Sequence, residues 1–560
     1  MVVENTDMSL KDEKDLYPKL LIWLTVIISM IVAVLFCNMK QGYHYDENYS
    51  YYSTDVTFGL WPTDHEWKNT DEIRSEYMVL PGESLNLGMV KLNQTYDVHP
   101  PLYYFILRIV CFFSKGIFSK WQGLIINLVF YLICLILLWR IADIAGRGNT
   151  WIDLFTLALF GLSPGFLSAV TFIRMYVMLT MWCFLVLLIA MRALLDNCFT
   201  LKKVFIPTLV ITAAGFLTHY YYMVFAFFVT AYVCIYLVIK KDTRVKAFIY
   251  GGSVVLGVAA AVAYYPACLG HIFSGYRGVE STQAFMDMSN TGDRISFFVQ
   301  MLNDYTFSGM FYILALVGLL LYMFYSYRRK VRLANELVKN TEVQTPEEIK
   351  EPDPEKTKRT ADDRYGHALG LLIFVTVGFF LVVCKTAMTP SNPAEALRYE
   401  SPVYGPIILI VVLMITEVFE RVRAHRLIAY AVLVLAVVCQ IHGLCSGKVF
   451  FLYEGARDNI KWAASHADRD VAFIYNPNNS WMIWNDGPEL MEYKDIFFIP
   501  YDTTEPVEDQ RLLTDTGIII YACRTDESDA IIESMIRANE NVSGYEKVGE
   551  RTFVDIYELR

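Results

Sequence analysis

Two adjacent carboxylates, Asp46 and Glu47, are the first residues of the chain whose type and position could do chemistry. They follow the first apolar run closely, which puts them near a membrane surface. They also stand in an aromatic stretch that contains Tyr43, Tyr45, Tyr49, Tyr51 and Tyr52. A carboxylate in such half-buried surroundings can act as a general base. An acidic pair in a loop is more often simply solvated, and it is the aromatic setting that favours a catalytic role.

The same polar stretch closes with a second motif, Asp97-Val98-His99-Pro100-Pro101-Leu102-Tyr103-Tyr104. The two prolines restrict the backbone beside His99, so this imidazole is a candidate to hold a substrate group. Pro101 can open a helix, because the first helical turn does not need its missing N–H. The roughly 14 apolar-rich residues that follow are short for a membrane span and suit a helix lying at the interface.

The composition places these motifs in a membrane protein. Of 560 residues, 55% are hydrophobic and 15% aromatic, and the mean hydropathy is +0.35. A net charge of -10 argues against nucleic acid as a partner. Most of the 11 cysteines lie in apolar runs and predict no disulfide framework; examples are Cys134, Cys183, Cys234 and Cys384.

Apolar runs of about 20 residues predict about eleven transmembrane helices. They cover 19–39, 119–141, 150–170, 174–195, 204–218, 221–240, 246–266, 308–327, 367–385, 402–419 and 427–445. The chain around 204–240 is nearly continuous, with Thr218-His219-Tyr220 as its only polar break. A cleaved signal peptide is the alternative for 19–39, but no small-residue cleavage site follows it.

Basic residues predict the orientation. Lysines and arginines concentrate at 140–147, 192–203, 240–246, 328–332 and 421–426, and such loops are cytoplasmic by the positive-inside rule. With an odd number of spans, residues 1–18 form a cytoplasmic tail and the C-terminus lies outside. A long first loop, 40–118, and the last domain then share the outer face of a multi-pass protein, which we expect in a bacterial plasma membrane.

The part of the chain after the spans reads as a small α/β domain, 446–560, that follows a transmembrane domain, 19–445. Short apolar runs at 471–475, 496–499 and 517–521 and an alternating run at 552–557 predict strands. Helical stretches at 455–466 and 528–539 separate some of them. The charged segment 328–366 lacks apolar periodicity and is predicted to be a flexible cytoplasmic insertion.

Asp46-Glu47 in the first outer loop, together with Asp97-Val98-His99-Pro100-Pro101-Leu102, resembles the GT-C superfamily of glycosyltransferases. The nearest resemblance is to the protein O-mannosyltransferases and bacterial aminoarabinose transferases of glycosyltransferase family 39, and it covers most of the chain. It implies a multi-span helical fold with a C-terminal extracytoplasmic α/β domain. It also implies transfer of a hexosyl or mannosyl-type sugar from a polyprenyl-phosphate donor to a lipid, glycan or protein acceptor, with inversion. Leu102-Tyr103-Tyr104 departs from the O-mannosyltransferase pattern, and His99 stands where aminoarabinose transferases usually carry lysine.

The resemblance implies that Asp46 is the base that deprotonates the acceptor and that Glu47 orients the acceptor or Asp46. A leaving phosphate needs cationic or hydrogen-bonding partners. The candidates for donor-phosphate or substrate binding are His99, Arg174, Tyr176, His219, Lys385, Arg398 and Tyr399. Arg174 and Lys385 could instead simply extend toward the membrane surface, and His219 could be a packed polar residue. Arg398 and Tyr399 are placed in an outer loop that leads into a span.

The sequence contains no metal-binding motif, and His44, His65, His99 and His219 show no ligand spacing. We therefore expect no cofactor, although a divalent ion held by Asp46 and Glu47 is the alternative. Two other functions are alternatives to glycosyl transfer. A transporter or flippase of lipid-linked glycans should show polar residues along its spans and two similar halves. A non-enzymatic cell-surface assembly protein would use the last domain for binding.

Overall fold

A computed structural model describes residues 2–55, 65–240, 244–320, 323, 327, 354–387, 393–420, 426–503 and 508–560. The chain is a helical bundle with an α/β domain at one end. The helices of the first half are α1 (Val2–Met39), α2 (Tyr45–Asp55), α3 (Thr70–Ser75), α4 (Leu87–Thr95), α5 (Leu102–Phe113), α6 (Lys120–Ala145), α7 (Thr150–Gly161), α8 (Pro164–Thr171), α9 (Tyr176–Asp196), α10 (Ile206–Phe216), α11 (Tyr221–Ile239) and α12 (Arg244–Tyr264).

The second half of the chain adds shorter helices and the remaining long ones. They are α13 (Ala267–Phe273), α14 (Tyr276–Met286), α15 (Thr291–Met301), α16 (Phe311–Leu320), α17 (Pro354–Thr386), α18 (Pro393–Glu420), α19 (Arg426–Cys445), α20 (Ala456–Ala464), α21 (Ile483–Leu490), α22 (Gln510–Thr514) and α23 (Asp526–Ala538). π-helical turns occur at Leu201–Phe205 and Leu302–Thr306, and a 3-10 helix at Pro477–Met482.

Within the described residues, eight helices are long and apolar enough to cross a membrane, or nine if the bent pair α7–α8 is one span. That pair bends by 55° where Pro164, which has no N–H to donate, begins the second helix. Of the other predicted spans, 204–218 holds the 11-residue helix α10. The predicted span 308–327 holds α16 and then runs partly outside the described residues.

Two segments differ from the sequence prediction. Helix α18 begins at Pro393 and contains Pro402 and Pro406, so Arg398 and Tyr399 lie inside a helix and not in a loop. Prolines are tolerated in such helices because neighbouring groups satisfy the freed carbonyls. The predicted insertion 328–366 lies outside the described residues up to 353, and its remainder is the first part of α17.

The α/β domain is built on a six-stranded sheet, and all four predicted strands are present. The strands are β1 (Trp67–Asn69), β2 (Val471–Tyr475), β3 (Asp495–Pro500), β4 (Ile519–Cys523), β5 (Tyr545–Glu550) and β6 (Val554–Leu559). Their order is β1-β3-β2-β4-β6-β5. The central strands β3, β2 and β4 are parallel, and β2 is buried along its whole length. Such burial explains why these strands read as continuous apolar runs.

The outer strand β1 comes from the first loop and pairs antiparallel with β3, with Trp67 opposite Phe497. Side chains reinforce this junction: Trp67 Nε1 donates to Asp509 Oδ2 at 3.1 Å, and Arg74 Nη2 donates to the Met491 carbonyl at 2.9 Å. The first loop and the last domain therefore form one layer over the same end of the bundle.

Candidate active site

Asp46 lies in the first turn of α2, where an acidic side chain is favoured by the partial positive charge of a helix N-terminus. Its backbone N–H donates to His44 Nδ1 at 3.1 Å. The same ring nitrogen is 3.8 Å from Asp46 Oδ2. The Asp46 side chain keeps 23% of its surface exposed, so the carboxylate is held in place but open to a ligand.

Arg398 of α18 closes on this carboxylate. Its Nη1 is 2.5 Å from Asp46 Oδ2, and its side chain is only 6% exposed. The guanidinium stands among the rings of Phe172, Tyr176 and Tyr399, at 5.5, 5.7 and 5.2 Å from their centroids. Aromatic faces attract a cation at these distances. The site therefore contains an ion pair between two helices that are about 350 residues apart in the chain.

Arg174 joins the same cluster from the turn between α8 and α9. It is 2% exposed, and its Nη1 donates to the Asp46 carbonyl at 3.2 Å and to Ser50 Oγ at 3.1 Å. Its Nη2 lies 3.4 Å from His99 Nε2. His99 Nδ1 is 2.9 Å from Asp97 Oδ2, which favours the tautomer that donates to Asp97 and accepts from Arg174. The two motifs of the first loop thus meet at one arginine.

Charges in this cluster determine how Asp46 and His99 ionise. Burial alone would raise the pKa of the Asp46 carboxyl, but the guanidinium groups of Arg398 and Arg174 outweigh it and hold that pKa well below its usual value. Burial lowers the pKa of His99, and the opposing effect of Asp97 is smaller. At neutral pH, Asp46 is therefore an anion and His99 is neutral.

Glu47, which was expected to orient the acceptor or Asp46, is held entirely by groups of the protein itself. Its side chain has no exposed surface, and its Oε2 is 2.8 Å from Lys40 Nζ. The backbone N–H groups of His44 and Ile173 donate to its two oxygens, each at 2.6 Å. Because both oxygens are occupied, Glu47 is a buried anchor that fixes the start of α2.

Tyr399 and His219 line a cavity of about 290 Å³, and His99 forms part of its wall. The His99 and His219 ring centroids are 6.0 Å apart. Tyr176 is buried behind them, with its centroid 5.5 Å from His219 and 5.8 Å from Tyr399. The structure therefore brings these predicted residues together beside the Asp46–Arg398 pair.

Arg277 of α14 also lines this cavity, and the sequence prediction missed it. It is 3.1 Å from Glu280, and its side chain is 39% exposed. The short helices α13 and α14 both contribute residues to the lining of this cavity. The amphipathic pattern around Arg277 was the signal that could have identified it.

Lys385, another predicted site residue, makes its hydrogen bonds outside the cluster around Asp46. It lies in the last turn of α17, where its ammonium donates to the Asp287 carbonyl, to Asn290 Oδ1 at 3.4 Å and to Thr291 Oγ1 at 2.9 Å. With three acceptors for three donors, Lys385 fixes the link between α14 and α15.

Several buried polar atoms near Asp46 have no hydrogen-bond partner in the part of the chain that the structure describes. They are Tyr104 Oη, Arg174 Nε and Arg398 Nε. The Arg174 guanidinium lies 5.9 Å from the Tyr104 ring centroid. A buried polar atom without a partner is costly, so these donors are available to an anionic ligand.

The described ranges contain no group of three or more His, Cys, Asp or Glu side chains that could hold a metal ion. At Asp46, the Arg398 guanidinium contacts the carboxylate, and the Arg174 guanidinium donates to the backbone carbonyl.

No protein-family model matches the chain, and no curated protein matches its sequence. Solved structures do match. ArnT from Cupriavidus metallidurans bound to undecaprenyl phosphate is 12% identical and aligns over 95% of this chain and 97% of its own, with a TM-score of 0.51. The apo state of the same protein aligns over the same shares, at 11% identity and a TM-score of 0.50.

The chain therefore shares the fold of these two solved structures, with a multi-span helical membrane domain followed by a small α/β domain. Because the alignment covers almost the full length of both chains, the likeness includes the first loop and the last domain as well as the spans.

Proposed function

We propose that the protein is a membrane glycosyltransferase that moves a sugar from a polyprenyl-phosphate donor to an acceptor hydroxyl. The observation that carries the proposal is the partly exposed Asp46 carboxylate held 2.5 Å from the buried Arg398, with Arg174 and His99 beside it. Transfer of a sugar from a phosphate leaving group requires a base for the acceptor and cations for the phosphate, and this cluster contains one carboxylate and two guanidinium groups. The solved neighbour with undecaprenyl phosphate bound supports this donor class.

In the proposed reaction, the acceptor oxygen attacks the anomeric carbon as the bond from that carbon to the phosphate oxygen breaks. The acceptor proton passes to Asp46, and the electron pair of the broken bond leaves with polyprenyl phosphate. Direct displacement inverts the anomeric centre. Arg398 and Arg174 stabilise the charge that develops on the phosphate. The leaving phosphate needs no general acid, so one carboxylate suffices.

The resting ion pair requires one rearrangement. A carboxylate bound this closely to a guanidinium is a weak base, because a useful catalytic pKa lies near the operating pH. A donor phosphate offers Arg398 a second anion. As the guanidinium turns toward the phosphate, Asp46 loses its counter-ion and its pKa rises. Donor binding would thus prepare the base for the acceptor.

An apolar cavity of about 280 Å³ supports a lipid-linked donor. Its lining includes Phe380 and Leu381 of α17 and Ile407 and Ile410 of α18. Arg398 lies on α18 about two to three turns before that lining. A polyprenyl tail in the cavity would leave its phosphate near the guanidinium.

The finer assignments extend the same proposal. The donor sugar is a hexose of the mannosyl type, as the motif resemblance implies. The protein lies in a bacterial plasma membrane with its N-terminus inside and its C-terminus outside, as the basic loops indicate. The reaction uses no metal cofactor, since cations of the protein itself surround Asp46.

The proposal is tested with purified, lipid-reconstituted protein and a panel of polyprenyl-phosphate sugars. We expect one donor to give sugar-dependent release of polyprenyl phosphate. Asp46→Asn should lower that release by about 10²- to 10⁴-fold, with normal membrane insertion. Asp458→Asn, a change on the exposed surface of α20, is the control and should retain activity. Full activity of the Asp46 variant would refute the assigned base.

A further inference from the structure

A third cavity, of about 350 Å³, lies between the first loop and the α/β domain. We call it the domain cavity. Its walls come from residues 42–43, the start of α20, helix α21 and the β5–β6 hairpin. Its volume falls in the range of small-molecule sites, about 300 to 1,000 Å³. Nothing in the proposed transfer step uses it.

One wall of the domain cavity carries an unpaired buried carboxyl group. Asp486 is 1% exposed, and its Oδ1 accepts from Asn485 Nδ2 at 3.2 Å. Its Oδ2 has no partner within the described residues. Burial, with a smaller effect from Glu489, raises the pKa of Asp486 to about 8. At neutral pH this group is an uncharged acid that can both donate and accept a hydrogen bond.

The wall behind Asp486 is rigid. Arg551 of the hairpin donates to Glu489 through Nε at 2.7 Å and through Nη2 at 2.8 Å. Tyr521 of β4 donates to the same carboxylate at 2.9 Å. Helix α21, the sheet and the hairpin are therefore fixed to one another, so a ligand would meet preformed polar groups.

The domain cavity reaches the Asp46 cluster through two residues. Tyr453 lines the cavity, and its ring centroid is 6.4 Å from that of His44. His44 in turn accepts from the Asp46 N–H. Residues 42 and 43 of the lining directly precede His44 in the chain. A molecule in the domain cavity would therefore lie one aromatic ring away from the residue that holds Asp46.

We propose that the domain cavity binds the acceptor, and that the acceptor is an uncharged, hydroxyl-rich glycan. Amide and carboxyl groups of Asn459, Asn485 and Asp486 match sugar hydroxyls, and Tyr43 and Tyr453 offer ring faces. Besides the uncharged Asp486, the lining has three carboxylates and one guanidinium, that of Arg551, and this excess of negative charge repels anionic ligands. The assignment of the glycan as acceptor rests on the proposed function.

Binding is measured by isothermal titration calorimetry on the full-length protein, with maltohexaose, cellohexaose and α-1,6-mannohexaose as uncharged probes. Hexagalacturonate is the anionic probe. We expect at least one uncharged probe to bind with a Kd of about 1 mM or tighter, and hexagalacturonate to show no heat of binding. The proposal is overturned if no uncharged probe binds, or if hexagalacturonate binds as tightly.

Two variants that fill the domain cavity locate the binding. Asn459→Trp on α20 and Thr552→Trp on the hairpin should each weaken binding by about tenfold. Asp458→Trp, one residue away and exposed, is the matched control and should bind as the unmodified protein does. Thermal unfolding of each variant checks the fold. Unchanged binding in both folded cavity variants would overturn the site.

Asp46→Asn separates this proposal from the proposed function. That variant should lose polyprenyl phosphate release and still bind the glycan. In the transfer assay, Asn459→Trp should raise KM for the acceptor and leave KM for the donor unchanged. The acceptor assignment would be overturned if the glycan bound to the protein but Asn459→Trp left KM for the acceptor unchanged. Full activity of the Asp46→Asn protein would refute the role of Asp46 as the base, but it would not affect the conclusion that the domain cavity binds a glycan.

Discussion

Replacing Arg398 by glutamine should change the pH at which the enzyme loses activity. In the unperturbed site, Arg398 Nη1 is 2.5 Å from Asp46 Oδ2, and this guanidinium is the largest of the effects that lower the pKa of Asp46. An opposite charge this close typically lowers a carboxyl pKa by about 1 to 3 pH units, which is about 1.4 to 4 kcal/mol. Arg398→Gln should raise the pKa of Asp46 by that amount.

The sign of the effect follows from the role of Asp46 as a base. Only the ionised form accepts a proton, so activity is present above its pKa and is lost as the pH falls through it. In the unmodified protein this loss lies far on the acid side. Arg398→Gln should move it about 1 to 3 pH units toward neutral, while Arg398→Lys, which keeps a charge, should move it less.

The assay is the pH dependence of kcat/KM for the donor, which reports on the free enzyme. A second measurement does not need turnover. The ion pair stabilises the fold above the unfolded-state pKa of Asp46, and this contribution is lost as the pH falls through the depressed folded-state pKa. The Tm difference between the unmodified protein and Asp46→Asn should therefore shrink on the Arg398→Gln background. The reasoning would be refuted if kcat/KM fell at the same acid pH in the unmodified and Arg398→Gln proteins and if the Tm difference stayed the same.

Three further predictions follow from the site. Glu47→Gln leaves Lys40 as a buried cation without a counter-charge, so stability should fall by about 3 to 5 kcal/mol, measured as a lower Tm; a double change to Lys40→Met and Glu47→Leu should recover part of it, and recovery of none would contradict the anchor role. Lys385→Ala should lower Tm because three contacts to the α14–α15 link are lost, while KM for the donor stays the same; a large rise in that KM would restore Lys385 to the site. Treatment with EDTA should leave polyprenyl phosphate release unchanged, and a loss restored by added Mg²⁺ or Mn²⁺ would show that a metal is needed.

The sequence was informative where polar residues interrupt apolar runs. Asp46, His99, Arg174 and Arg398 each lie at such a break, and membrane proteins place ionisable groups there for function more than for packing. The apolar runs at 471–475 and 496–499 were equally clear, because buried parallel strands are apolar on both faces. Because these signals depend only on residues that are neighbours in the sequence, they can be recognised in a single sequence.

Side-chain direction and distant pairing were not readable in this way. Asp46 and Glu47 are neighbours in a helix, where successive side chains point about 100° apart, and only the packing decides which of them is buried. Lys385 lies in the last turn of α17 and Arg398 in the second turn of α18. The rotation of each helix directs Lys385 to the link after α14 and Arg398 to Asp46. Strand β1 has three residues without alternation, so its pairing is visible only in three dimensions.

That short strand has a consequence for biosynthesis. Trp67 pairs with Phe497, a partner about 430 residues later in the chain. At about 5 to 20 residues per second, the ribosome needs roughly 20 to 90 s to make the partner after Trp67 has been made. During that interval the first loop has no sheet to join. The nascent chain therefore cannot complete the layer above Asp46 until synthesis is nearly finished, so the strand edge of β1 stays unpaired during most of translation.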